Sequence, residues 1–481
     1  MGNAHPQTET HSATGAFEAL REHYESHGQG HVFRFWDGLD ATGRKQLQAQ
    51  AAAIDLPAVL RAHAASRRPE PPAADLRPAP VERLPQHGGD LARRELAAER
   101  GRAMLAAGRV AACVVAGGQA TRLGFDGPKG TFPLGPVTKR SLFELQAQKI
   151  RGLRRRHGRP LPWYVMTSPA TDAATRAFFE RNQYFGLPSD DVVFFVQAMV
   201  PSADFDGRLL LERPDRIFEN PSGHGGTLPA LRVSGALDDM DRRGIDTIFY
   251  YQVDNPLVRI ADPVYLGFHD AAGAEMSCKV VRKVDPAEKV GVVAQVGGDI
   301  RVIEYTELDD AQRCALDADG ALVYWAGSIA IHVFETAFVR RVAADADRLL
   351  PYHASDKAIP ALDAGGRSLE PSRPNGRKLE RFVFDALAAA TRVCVVEADR
   401  TTEFSPVKNA EGENSPKTAR RALSARARAW IDAAGIEGIP PEAAIEVDHS
   451  RIDGPEDARA LGIRHISEAA GAILTAAGAA S

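Results

Sequence analysis

Val114-Val115-Ala116-Gly117-Gly118-Gln119-Ala120-Thr121-Arg122-Leu123-Gly124, followed shortly by Pro128-Lys129-Gly130, decides how this chain is read. An apolar run enters a glycine pair, and the loop that opens from it carries two cations. Glycine has no Cβ, so its backbone N–H can approach a phosphate closely. Arg122 and Lys129 beside such a turn can neutralise charge that builds up during phosphoryl transfer. The loop lacks the Gly-Lys-Ser/Thr ending of a P-loop. Gly117 and Gly118 are adjacent, which breaks the G-x-G-x-x-G spacing and argues against an NAD-dependent oxidoreductase. A nucleoside triphosphate site and a structural glycine turn are the two readings left.

Outward from this loop, short apolar runs alternate with helical stretches. Strands are predicted at Ala111–Ala116, Trp163–Thr167, Val192–Gln197, Thr247–Val253 and Met276–Val281. Helices are predicted at Leu142–His157, Ala173–Tyr184 and Leu228–Arg243. Ser141-Leu142-Phe143-Glu144 has the pattern of a capping box, and Gly186 and Gly244 sit near helix stops. Such alternation argues for an α/β sheet with parallel strands, whose ligands bind outside the carboxyl ends of the strands. The glycine pair lies at such an end. Gly297-Gly298-Asp299 predicts a hairpin turn between Val292–Val296 and Ile300–Tyr305. Residues 1–100 read as a helical region, with helices at Phe17–His27, Leu47–Ser66 and Asp90–Ala107 and a Pro/Arg-rich connector at Arg67–Gln86. The catalytic α/β region is placed at 101–390. A small C-terminal domain is placed at 391–481, with a strand at Val393–Glu397 and Ala/Arg-rich helix.

Bulk properties narrow the function classes. The 59 basic and 63 acidic residues of the 481 give a formal net charge of −4, with no basic excess to attract nucleic acid. No apolar run approaches the ~20 residues that span a bilayer, and residues 1–17 lack the pattern of a signal peptide. The four cysteines have no metal-type spacing, and Cys113 and Cys394 lie in apolar runs as small core residues. A cytoplasmic protein with no membrane partner is expected.

Five further segments carry chemistry-bearing residues. Gln197, after an apolar run, has the amide donors and carbonyl that can pair with a base edge; the competing reading is a surface glutamine. Asn220-Pro221-Ser222-Gly223-His224-Gly225-Gly226 lets backbone close on a flat ligand, or is a flexible turn. Asp254 ends a buried strand, where a carboxylate is costly unless paired or bound to a cation. Mg²⁺ takes one or two carboxylates plus phosphate oxygens, which makes Asp254 the metal candidate, with helix capping as its alternative. Glu304, at another strand end, can accept hydrogen bonds from sugar hydroxyls. Lys408, in Phe404-Ser405-Pro406-Val407-Lys408, is by itself an ordinary surface lysine.

In this order, from about Leu96 to Trp430, the segments resemble the eukaryotic-type UTP:sugar-1-phosphate uridylyltransferases, and most of all the UDP-N-acetylhexosamine pyrophosphorylases. The carrying stretches include AGGQATRLGFDGPKGTFPLG, PSGHGG, YQVDNPLVRIADPVYLGF, VIEYTEL and EFSPVKNAEGENSPKTAR. The resemblance implies a Rossmann-like mixed-sheet nucleotidyltransferase core (GT-A-like), an N-terminal helical region and a small C-terminal domain. It implies the reaction UTP + sugar 1-phosphate → UDP-sugar + pyrophosphate, with Mg²⁺ or Mn²⁺. On matching positions, Gly117 and Gly118 hold the nucleotide, Arg122, Lys129 and Lys408 face its phosphates, Gln197 and Gly223 read uracil, Asp254 holds the metal and Glu304 binds the sugar. N-acetylglucosamine 1-phosphate is the favoured sugar, with glucose or galactose 1-phosphate as the runner-up. A non-catalytic UTP or UDP-sugar sensor is the minor alternative. Five departures stand out. Ala120 replaces a glycine and would be strained at a positive φ. Ser222 and His224 stand in the uracil loop where Asp and Asn are usual. Ser328 replaces the asparagine that contacts the N-acetyl group, and the bulk of Trp325 can reshape the pocket.

Overall fold

The computed structural model of the chain describes residues 7–65, 75–465, 472–475 and 478–480. Its chain divides into two units, one built from residues up to 71 with 198–226 and 346–383, the other from 72–197, 227–345 and 384–481.

The second unit is organised by a ten-stranded mixed sheet. Its strands are β1 (Leu76–Pro78), β2 (Val110–Val115), β3 (Trp163–Thr167), β4 (Val192–Val196), β5 (Thr247–Gln252), β6 (Met276–Arg282), β7 (Val292–Val296), β8 (Asp299–Ile303), β9 (Ala326–Glu335) and β10 (Val393–Glu397). β5, β2, β3 and β4 lie side by side and parallel. β9 runs antiparallel to β5 on one flank and to β6 on the other, and β10 pairs parallel with β6. The central strands are apolar throughout because helices cover both faces of such a sheet, so both faces of each strand are buried. Val110, Ala112, Val114, Trp163, Val165, Phe249 and Tyr251 share one core with helix α2 (Leu142–His157). The carboxyl ends of β2, β3, β4 and β5 therefore open on one edge. β9, being antiparallel, starts at that edge.

The predicted strands and the helices predicted at Leu142–His157 and Asp90–Ala107 are found with small shifts at their ends, whereas the helix predicted at Phe17–His27 begins ten residues earlier, at Gln7. The hairpin is present: Val296 pairs with Asp299 across Gly297 and Gly298, whose φ values of 58° and 101° match a two-residue turn with both central residues at positive φ. Ser141 caps α2 by accepting from the Glu144 N–H at 3.1 Å, while the Glu144 carboxylate turns to Arg140 at 3.0 Å instead of closing the box. Helix α7 (Pro416–Ala433) is the predicted C-terminal Ala/Arg-rich helix.

Three further helices differ from the reading of the sequence. The predicted helix Leu228–Arg243 is two helices, α4 (Thr227–Val233) and α5 (Ala236–Arg242), broken where Gly235 takes φ 77°. The predicted Ala173–Tyr184 stops at Arg181 as α3 (Asp172–Arg181), because Gln183, Tyr184 and Phe185 are left-handed at φ 50–55°. Leu47–Ser66 is split into Ala41–Ala53 and Leu56–Ala65 at Ile54, whose backbone is extended; Ser66 lies outside the described residues. Of the connector, 67–74 also lie outside them, and Leu76–Pro78 has become an edge strand on β7.

In the first unit, N-terminal helices pack Phe17, Tyr24, Val32, Phe33 and Leu47 against Leu209, Leu211 and Ile217. A three-stranded sheet orders Tyr352–Lys357, Gly376–Arg381 and Ala203–Asp204.

Candidate active site

The glycine pair follows β2 directly. Gly117 is fixed by Ser168, the residue after β3, whose Oγ donates to the Gly117 carbonyl at 2.8 Å. A Cβ at Gly117 would lie 2.4 Å from the Gln197 Nε2, so only glycine lets this backbone and the Gln197 amide lie together. Gln197 follows β4, is 6 % exposed, and has its backbone N–H on Thr167 O at 3.0 Å. Gly118 is exposed, and a Cβ there would meet nothing within 4 Å. Its carbonyl accepts from the Lys129 N–H at 2.9 Å, which closes the loop and places the lysine. Ala120 has φ −95°, so the strain expected of a residue replacing glycine there is absent.

Opposite Lys129 stands Asp254, which follows β5. The Lys129 Nζ lies 3.9 Å from the Asp254 Oδ2 and donates to the Val407 carbonyl at 3.2 Å. The Val407 N–H in turn donates to the Asp254 carbonyl at 2.8 Å. Three segments distant in sequence thus meet around one lysine and one carboxylate. Asp254 starts no helix; Asp262 caps the next one, α6 (Pro263–Ala271), which removes capping as the reason for Asp254. Lys408, next to Val407, is exposed, and its backbone N–H donates to Asn414 O at 2.7 Å. Arg122 is exposed on the glycine loop.

Polar residues not singled out in the sequence hold this arrangement. Gln146 and Lys149 of α2 face inward and bind the carbonyls of the Asp254 segment: Gln146 Nε2 to Val253 O at 3.0 Å, Lys149 Nζ to Pro256 O at 2.5 Å and Val258 O at 2.9 Å. Burial pushes the Lys149 ammonium well below its ordinary pKa. The Asn255 side chain donates to Glu403 O at 2.8 Å and accepts from Ser405 N–H at 3.2 Å, tying the loop that leads to Lys408 to the end of β5. The signal for Gln146 and Lys149 was their position on the apolar face of a helix, between Leu142, Leu145, Ile150 and Leu153.

Glu304 and Ser328 come together around Gly291. The Ser328 N–H donates to the Gly291 carbonyl at 2.8 Å, and a Cβ on Gly291 would lie 3.2 Å from the Glu304 Oε1. Ala330 takes φ 54° inside β9, where the register with β6 slips between Cys278 and Val280. A left-handed alanine costs about 1–2 kcal/mol, against about 0.5–1 kcal/mol of added chain entropy for glycine. Ala330→Gly is therefore expected to stabilise the fold by roughly 0.5–1 kcal/mol, seen as a raised thermal midpoint. The ring of Trp325 is 8 % exposed, with the Arg282 guanidinium 4.3 Å and that of Arg83 5.8 Å from its centroid. Its bulk is taken up in that packing.

Gly223 belongs to the first unit. Its φ is 83°, and a Cβ would lie 2.6 Å from Arg381 O, so the position demands glycine twice over. Next to it, the buried Ser222 Oγ has no hydrogen-bond partner among the described residues. The His224 Nδ1 accepts from the Val383 N–H at 3.1 Å, and its ring stacks on Phe382.

A mixed sheet with a glycine loop, two cations and an acidic residue gathered at the carboxyl ends of its parallel strands defines a nucleotidyltransferase. Comparison with known proteins agrees. Residues 75–430 match the family model described as UTP–glucose-1-phosphate uridylyltransferase, and the chain belongs to that family. It is 40 % identical over 434 residues to a human UDP-N-acetylhexosamine pyrophosphorylase-like protein 1, covering 86 % of this chain and 85 % of that one. It is 39 % identical over 337 residues to the UDP-N-acetylglucosamine pyrophosphorylase of Saccharomyces cerevisiae, covering 68 % and 71 %. The crystal structure of the Trypanosoma brucei uridine diphosphate N-acetylglucosamine pyrophosphorylase superposes with a TM-score of 0.79 at 28 % identity, over 92 % of this chain and 94 % of that one. The protein is an enzyme of the UDP-sugar pyrophosphorylase type, acting on UTP and a sugar 1-phosphate, and its family implies transfer assisted by a divalent metal. Among the described residues no helix is long and apolar enough to cross a membrane.

Proposed function

We propose that the enzyme makes UDP-N-acetylglucosamine from UTP and N-acetylglucosamine 1-phosphate, and that Gly117, Gly118, Arg122, Lys129, Gln197, Asp254, Glu304, Ser328 and Lys408, all in the second unit, form its site. The observation that carries the site is the meeting of Lys129, Asp254 and the Val407–Lys408 segment. In this reading Gly118 opens backbone to the triphosphate, while Arg122, Lys129 and Lys408 neutralise its charge. Gln197 binds uracil, and Glu304 and Ser328 bind the sugar. The sugar phosphate oxygen attacks the α-phosphorus in line, the bond to the β-phosphate oxygen breaks, and pyrophosphate leaves. The attacking oxygen is already anionic, so no general base is needed. Catalysis is positioning plus charge neutralisation.

Asp254 fits a Mg²⁺ or Mn²⁺ ion. It is a largely buried carboxylate whose side chain, among the described residues, is engaged only by Lys129 at 3.9 Å. No cluster of three or more acidic, His or Cys ligands exists among the described residues. One carboxylate suits an ion shared with phosphate oxygens. Such an ion supplies charge stabilisation at the triphosphate when bound. The free cysteines, three of them buried, support a cytoplasmic setting.

The N-acetylglucosamine assignment is tested by ranking kcat/KM over N-acetylglucosamine, N-acetylgalactosamine, glucose and galactose 1-phosphates. N-acetylated substrates are expected to lead. Ser328→Asn, which restores the amide that the family resemblance implies at this position, is expected to raise the preference for N-acetylated over plain hexose 1-phosphates by about tenfold, the worth of one hydrogen bond. An unchanged ratio removes Ser328 from the sugar pocket, and a lead by glucose 1-phosphate overturns the assignment.

A further inference from the structure

A lysine interrupts the otherwise apolar centre of β6. Lys279 is 1 % exposed, and its Nζ donates to the Asp262 Oδ2 at 2.8 Å and the Glu403 Oε2 at 2.5 Å. The Arg259 guanidinium stands 3.8 Å from the other Asp262 oxygen, and the Tyr265 ring lies 5.3 Å from the ammonium. Taking such a group out of water costs several kcal/mol per ion, and well-packed apolar residues are often at least as stable in its place. The triad is thus poorly explained by stability alone, and what its two carboxylates hold becomes the question.

Asp262 closes the segment that begins at the metal candidate Asp254. Glu403 opens the segment that leads to Lys408. The same two segments are joined at three further points. Asn255 bonds Glu403 O and Ser405 N–H, Val407 N–H bonds Asp254 O, and Arg426 of α7 reaches from Leu257 O at 2.8 Å to Thr402 O at 3.1 Å. Lys279 is the strut behind them: its ammonium touches the far end of the first segment and the near end of the second. Resting on the reading of Asp254 and Lys408 as metal and phosphate ligands, we propose that Lys279 is a positioning residue for uridylyl transfer. Through Asp262 and Glu403 it sets the Asp254 carboxylate and the Lys408 ammonium at the distance the triphosphate and its metal require.

Lys279→Met keeps the length of the side chain and removes its charge. Mn²⁺ binding in the presence of UTP, followed by electron paramagnetic resonance, is expected to weaken about 10–100-fold in the variant, the range for groups that orient a metal ligand. kcat is expected to fall by a similar factor while KM for UTP changes by less than about twofold, because the Gly117–Gln197 contact does not involve the triad. A purely structural lysine would lower the thermal midpoint and leave Mn²⁺ affinity and turnover per folded molecule unchanged, and that result overturns the proposal. If Lys279→Met yields no folded protein, Glu403→Gln, which keeps the Lys279–Asp262 pair, is read in the same way. Asp254→Asn separates the two levels. Wild-type Mn²⁺ affinity in that variant overturns the reading of Asp254 and the proposal with it. Loss there, with wild-type affinity in Lys279→Met or Glu403→Gln, overturns the role of Lys279 alone.

Discussion

Lys129→Ala is expected to lower kcat by about 10²–10³, the effect of deleting one group that stabilises transition-state charge. The lysine is fixed from three sides: its own N–H is bonded to Gly118 O, and its ammonium lies on Val407 O and beside Asp254. It is therefore ready before substrate arrives, and little reorganisation is needed when negative charge moves onto the leaving pyrophosphate. The loss is expected in kcat more than in KM for UTP, because the uracil contact proposed for Gln197 is untouched. Lys129→Arg keeps the charge and is expected to recover part of the rate. Single-turnover measurements check both, and a Lys129→Ala enzyme with near-normal turnover would remove the residue from catalysis.

Asp254→Asn has the largest expected effect. The substitution keeps shape and removes the carboxylate that faces Lys129. If Asp254 anchors the divalent ion, several kcal/mol of transition-state stabilisation go with it, which is about 10³-fold or more in rate. The residual activity is expected to lose its saturable dependence on Mg²⁺ at concentrations that saturate the wild type. The fold should survive, since the backbone bonds of Asp254 to Val407 and of Val253 to Gln146 do not use the carboxylate. Turnover that still rises and saturates with Mg²⁺ as in the wild type would place the metal elsewhere.

Much of this was legible in the sequence because of how a covered parallel sheet is built. Its strands are buried on both faces and so read as continuous apolar runs, and the residues just after them must fall on one edge. Gly117, Gln197 and Asp254 were locatable for that reason. That Glu304 and Ser328 both lie by Gly291 was not visible without the fold, since it depends on which antiparallel strands pair. Helix breaks were missed where the backbone is left-handed at residues that do not announce it, as at Gln183, Tyr184 and Phe185. Gln146, Lys149 and Lys279 were missed for a different reason. Each is a polar residue inside an apolar pattern, and a sequence does not say which partner justifies the burial. Ala120 and Trp325 look like departures in the sequence, yet the first keeps an ordinary φ and the second is absorbed by two arginines.

The most direct test supplies the purified enzyme with Mg²⁺, N-acetylglucosamine 1-phosphate and UTP labelled at the α-phosphorus. The account predicts label in UDP-N-acetylglucosamine, with one pyrophosphate released for each sugar nucleotide formed and no reaction without the sugar phosphate. UTP that binds but stays intact with every sugar 1-phosphate offered would contradict it.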